Sequence, residues 1–183
     1  MSEKIWNREV WNTYVKGVNP PWGDQVAINA HTICILELSF YSNLKFLEVV
    51  RQTISEAIGV LPFSAFHIHD ICMAVDESLA NVILHSYGRE STESPILLNL
   101  QIGQLEKGKK GVRITITDKG QGGKGFSINR SLVFDTMEEF VEKEKKGGLG
   151  VHLVKCLMDK VEYFSQVGGE NELVMIKYLP NEK

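Results

Sequence analysis

Glycine placement is the feature that most constrains what this chain can fold into. Gly120-Gln-Gly122-Gly123 follows, after Lys119, on the β-branched run Val112-Arg-Ile-Thr-Ile-Thr-Asp118. Gly147-Gly148-Leu149-Gly150 leads directly into Val151-His-Leu-Val-Lys-Cys-Leu, whose apolar residues recur at helical spacing. Glycine weakens helix and strand interiors, and it lets a backbone approach another group closely because it has no Cβ. Two clusters at the end of one element and the start of another therefore mark either hinges or places of close approach.

The strand and helix signals around these clusters define an architecture. Thr32-Ile-Cys-Ile-Leu-Glu-Leu38 alternates and is rich in β-branched residues, which predicts a strand. From Asn43 to about Gly59, Leu44, Leu47, Val50 and Ile54 recur every three or four residues, which predicts a helix. Ser64 is suited to cap a second helix running from about Ala65 to Tyr87. Strands follow at 95–102 and 112–117, joined by the basic turn Lys107-Gly-Lys-Lys-Gly, then a helix over 149–158 and strands near 161–167 and 172–178. Two helices after one strand, then a β-β-α-β-β run, predict an α/β (α+β) two-layer sandwich. Its sheet is expected to be mixed and mostly antiparallel, with the helices on one face, because a doubly wound sheet needs more regular alternation.

Composition narrows the function classes. Lys and Arg number 20 against 23 Asp and Glu, a net charge of −3, which excludes a broadly basic nucleic-acid binder. Three scattered cysteines, Cys34, Cys72 and Cys156, form neither a C-x-x-C pair nor an even disulfide set and fit a reducing compartment. No apolar run reaches the ~18 residues of a membrane span, and the N-terminus has no signal-peptide pattern. The expectation is a cytoplasmic domain over residues 30–183 preceded by an extension, residues 1–29. Trp6, Val10, Trp11 and Tyr14 in that extension fall at near-helical spacing, serving either to dock a partner or to close over the domain's own core.

Chemistry concentrates on the second helix and the glycines. Ile68, Ile71, Cys72, Val75, Leu79, Val82 and Ile83 form an apolar stripe, whereas Glu77, Asn81 and His85 share a separate polar one. Asn is a poor mid-helix residue, because its amide competes for backbone hydrogen bonds. A carboxylate and an amide one turn apart can respectively activate a hydroxyl and bind a hard cation; a solvated helix face is the bland alternative. Gly147 to Gly150 either form a hinge or direct free N–H groups of a helix start at an anion such as a polyphosphate. Gly120, Gly122 and Gly125 satisfy G-x-G-x-x-G but open no clear crossover helix, which argues against a dinucleotide fold. Gly103 to Lys109 imitates a P-loop, with Lys110 in place of the required hydroxyl residue.

Together, in order and spacing, these features resemble the Bergerat-fold (histidine-kinase-like) ATPases. Ala74-Val-Asp-Glu77-Ser-Leu-Ala-Asn81-Val-Ile-Leu-His85 looks like their N box, Asp118-Lys-Gly120-Gln-Gly122 their first glycine box and Gly148-Leu-Gly150 their second. The string Gly147-Gly-Leu-Gly-Val-His-Leu-Val-Lys-Cys-Leu-Met is similar to anti-sigma-factor serine/threonine kinases of the RsbW and SpoIIAB type. The resemblance runs from about residue 30 to the C-terminus.

It implies ATP and Mg²⁺ as cofactors, with Glu77 as the base and Asn81 as the metal ligand. Asp118 would bind the adenine amino group, and Gly120 and Gly122 would pass close to base and sugar. Gly147, Gly148, Leu149, Gly150 and Val151 would present amides to the phosphates, with Lys146 reaching the γ-phosphate and His85 in support. An ATP lid would span about residues 119–147. The implied partners are an anti-anti-sigma (STAS-domain) protein and a sigma factor, without nucleic acid or membrane, and homodimerisation is left open. A nucleotide-gated interaction module without kinase activity is the competing reading. One departure stands out. The family often carries a hydroxyl residue on a late strand near adenine, and Asn171-Glu-Leu-Val-Met-Ile-Lys-Tyr has none.

Overall fold

The computed structural model describes residues 32–106, 108–120, 149–165 and 170–180. The chain begins there with β1 (Thr32–Ser42), then α1 (Phe46–Ile58) and α2 (Ala65–Asn81). A five-residue π turn, Val82–Ser86, continues α2, and β2 (Ser91–Glu106) and β3 (Lys109–Asp118) follow. The remainder is α3 (Leu149–Leu157), β4 (Lys160–Ser165) and β5 (Asn171–Tyr178). Ser64 caps α2 as its sequence position suggests, its hydroxyl accepting from the His67 N–H at 3.4 Å.

The five strands form one sheet in the order β1-β2-β3-β5-β4, and every described pairing is antiparallel. The parallel relation expected of a mixed sheet survives only at a distance. β3 and β4 run the same way, with β5 inserted between them, so α3 makes a split β-α-β connection. Strand alternation turns Ile96, Leu98, Leu100 and Ile102 of β2 and Val112, Ile114 and Ile116 of β3 toward the helices, and all are buried. They meet Val50, Ile54 and Ile58 of α1, Ile71, Val75 and Leu79 of α2 and Val154 of α3 in one core. The result is a two-layer sandwich with helices on one face of the sheet.

The imitation P-loop is the end of β2 and its tight turn into β3, and no helix follows it. The N-terminal extension 1–29 and most of the expected lid, residues 121–147, lie outside the described residues.

Candidate functional site

At one end of the sheet the polar stripe of α2 meets the start of α3. Asn81 donates from Nδ2 to Glu77 Oε1 at 3.3 Å, as residues one turn apart can. Because a carboxylate only accepts, the amide nitrogen must face Glu77, which leaves the Asn81 carbonyl oxygen for another ligand. Gly150, in the first turn of α3, lies directly against this pair. A Cβ there would overlap the Glu77 carboxylate, standing 2.6 Å from Cδ and 3.0 Å from Asn81 Nδ2. Any larger residue here would push the Glu77 carboxylate out of this position. The N–H groups of Leu149, Gly150 and Val151 belong to the first turn, so they have no i−4 carbonyl partner within the helix. A helix start whose first N–H groups lie outside the helical ladder thus abuts a carboxylate and an amide.

The second half of the site lies where β3 ends. Asp118 is 4% exposed, and its Oδ1 accepts from Ser86 Oγ at 2.5 Å, from the Gly120 N–H at 2.8 Å and from Asn171 Nδ2 at 2.9 Å. Gly120 packs so tightly on the π turn that a Cβ would come within 2.6 Å of the Ser86 carbonyl carbon and oxygen. Tyr87 braces the same corner: its hydroxyl accepts from the Lys119 N–H at 3.0 Å and donates to the Pro95 carbonyl at 2.5 Å. Burial pushes the Tyr87 phenol above its ordinary value, the hydrogen bond from Lys119 opposes this, and the Asp118 charge adds to the rise.

The two halves share one scaffold. Glu77 and Ser86 are nine residues apart along α2 and its π turn, roughly 13 Å at helical rise, a span suited to an extended nucleoside triphosphate. Single-turn π segments of this kind often occur at functional sites. His85 is exposed on this turn, and it is Ser86 that reaches Asp118. The expected ligands Gly122, Lys146, Gly147 and Gly148 lie outside the described residues. Ser86 and Asn171 were not anticipated from the sequence.

Residues 40–177 match the histidine kinase-like ATPase domain family. The chain is 30% identical over 149 residues to the serine-protein kinase RsbW of Oceanobacillus iheyensis, covering 81% of this chain and 89% of that protein. The RsbW of Halalkalibacterium halodurans is 30% identical over 148 residues, covering 81% and 85% respectively. The chain belongs to the histidine kinase-like ATPases, as an RsbW-type serine-protein kinase. A crystal structure of the RsbU and RsbW domains of Rv1364c from Mycobacterium tuberculosis shares the fold, with a TM-score of 0.55 at 15% identity. That match covers 80% of this chain and 33% of the other.

Membership in an ATPase and kinase family implies that this protein uses a nucleotide. Gly150 brings the helix start directly against an acceptor and an amide. Among the described residues no group of three or more His, Cys, Asp and Glu could hold a metal ion. A Mg²⁺ carried largely by phosphates and water needs no such cage, and one side-chain oxygen suffices to anchor it. Among the described residues no helix is long and apolar enough to cross a membrane.

Proposed function

We propose that this protein transfers the γ-phosphoryl group of Mg-ATP to a serine of an anti-anti-sigma (STAS-domain) protein and sequesters a sigma factor, acting in the cytoplasm. The observation that carries the reading is the close approach of Gly150 to both Glu77 and Asn81, which brings two motifs about 70 residues apart together at a helix start, the kind of place where phosphates are readily held. Each side chain has a task there. Glu77 takes the proton as the serine oxygen attacks; the new O–P bond forms while the bond from the γ-phosphorus to the β-phosphate oxygen breaks and ADP leaves. Asn81, its nitrogen engaged by Glu77, offers its carbonyl oxygen to the cation. Mg²⁺, when bound, neutralises phosphate charge. The α3 amides of Leu149, Gly150 and Val151 hold phosphate oxygens, and Asp118 accepts from the adenine amine. Lys146, Gly147 and Gly148 complete the phosphate end, and residues 119–147 form the lid.

The test is incubation of the full chain with γ-labelled ATP, Mg²⁺ and a STAS-domain protein from the same genome. Label is expected on a serine of the partner. ATP binding without transfer would reduce the protein to a nucleotide-gated interaction module, and absence of ATP binding would overturn the reading entirely.

A further inference from the structure

The register between β3 and β5 places Asn171 directly opposite Asp118, with both side chains on the helix-facing side of the sheet. The next inward ranks, Ile116 opposite Leu173 and Ile114 opposite Met175, are apolar and buried. Asn171 is 1% exposed, so a polar amide has been buried where the alternation calls for a hydrophobe. The backbone ladder already holds the strands together, and burying an amide costs free energy unless it is hydrogen-bonded. Its partners identify its task. Nδ2 lies 2.9 Å from Asp118 Oδ1, 3.3 Å from the Gly120 carbonyl and 3.4 Å from Ser86 Oγ. The first two accept only, so the amide must present its nitrogen.

We propose that Asn171 is a positioning residue for nucleobase selection, fixing the Asp118 carboxylate, together with Ser86, so that only Oδ2 is offered to a purine. The proposal rests on the ATP reading of this site and deepens it. All three donors recorded at Asp118 fall on Oδ1, which exceeds its two lone-pair directions and leaves that oxygen nothing to offer a ligand. A carboxylate fixed in this way attracts a 6-amino group, as in adenine. It rejects a 6-carbonyl, as in hypoxanthine or guanine, because two acceptors then face each other. A carboxylate free to rotate gives up both effects. The selectivity therefore depends on a repulsive contact as well as an attractive one, and the hydroxyl that the sequence lacks on β5 is replaced by a side-chain amide.

ATP and ITP differ at the purine 6-position and in the N1 proton that accompanies the 6-carbonyl, while sharing sugar and phosphates, so the ratio of their dissociation constants reports on recognition of this edge of the base. Calorimetry on the full chain is expected to show wild type favouring ATP. In Asn171→Leu the ATP/ITP preference should fall about tenfold, the effect of one or two lost hydrogen bonds to a charged group. Most of that fall should come from weaker ATP binding. Asn171→Thr, which restores a donor, should recover part of the preference. Equal weakening of both nucleotides would make Asn171 a prop of the fold and overturn the proposal, as would an unchanged ratio. If Asn171→Leu does not fold, the smaller Asn171→Ala, which also removes the donors, should show the same loss of preference. A wild type that binds neither nucleotide overturns the kinase reading itself, whereas a wild type that binds ATP with a ratio insensitive to Asn171 overturns only this inference.

Discussion

Asp118 closes β3 and Glu106 closes β2, and because these strands are antiparallel the two carboxylates stand at opposite ends of the sheet. Each is gripped by several donors. Glu106 accepts from Lys160 Nζ and from the Tyr178 hydroxyl, while Lys109 and Lys160 lie over the Tyr178 ring at 4.8 and 5.6 Å. Its carboxyl is held below the ordinary range chiefly by the Lys160 hydrogen bond, then by Tyr178. The hydrogen bonds recorded at Asp118 come from a hydroxyl, a backbone amide and a side-chain amide, all neutral, and the neighbouring Lys119 pairs with Glu170 at 3.3 Å. The difference lies in what happens to the charge. Lysines neutralise Glu106 in open solvent, so its interactions end within the protein. Neutral donors orient Asp118 in a nearly buried corner without cancelling it, so its charge remains available to a ligand.

The contrast is sharpest at the end of the molecule where α2 meets α3. Glu77→Ala should lower phosphotransfer about 10²–10⁴-fold, the usual contribution of a general base, while calorimetry shows ATP affinity near wild type. A loss confined to binding would remove Glu77 from the chemistry. Asp118→Asn should act the other way, raising the ATP dissociation constant by about 10–100-fold through loss of a hydrogen bond to a charged acceptor. Asn81→Ala should also weaken nucleotide binding, and only in the presence of Mg²⁺. Wild-type-like affinity in both of these variants would dissolve the distinction between the two ends of the sheet.

Gly120→Ala tests the corner itself. Its new methyl group would press on the backbone carbonyl of Ser86, and overpacking of this kind costs about 1–3 kcal/mol. Thermal melting should show the loss, and ATP affinity should fall with it because Ser86 and Asp118 move together. An unchanged melting temperature would mean that the π turn yields without effort.

How far the sequence foretells all this depends on the range of each interaction. Glu77, Asn81, Asp118 and Gly150 are legible because each sits in a short contiguous pattern whose periodicity places it on a helix face, at a strand end or in a helix start. Ser86 is not, because a 3.6-residue period carried on from Glu77 and Asn81 selects His85; the wider π turn brings Ser86 to Asp118 instead. Asn171 depends on pairing across 53 residues, and no local pattern sets that register. A signal was present nonetheless. Asn171 begins a strand whose alternate positions, Leu173 and Met175, are apolar, so it is a polar residue in an inward rank. The strands also run longer than their β-branched cores suggest. β1 continues to Ser42 and β2 begins at Ser91, before Pro95, because the long β1–β2 ladder carries weaker strand formers past their own preference.

The smallest expected effect belongs to the other carboxylate. Glu106→Gln removes the charge that Lys160 and Tyr178 share, yet the group lies at the solvent-accessible surface, where ion pairs are screened by salt. Nucleotide affinity and phosphotransfer should stay at wild-type levels, and any fall in melting temperature should shrink as salt is raised. The pH dependence has a definite sign. Because the folded state holds this carboxyl below its ordinary value near 4.5, its contribution is present above that pH and fades as the pH falls through the depressed native value. Wild type and Glu106→Gln should therefore differ in acid melting curves near neutral pH and converge at lower pH. If Glu106→Gln instead weakened ATP binding as Asp118→Asn does, the lysine-paired end of the sheet would be coupled to the site, and donor charge could no longer distinguish a carboxylate neutralised within the protein from one kept for a ligand.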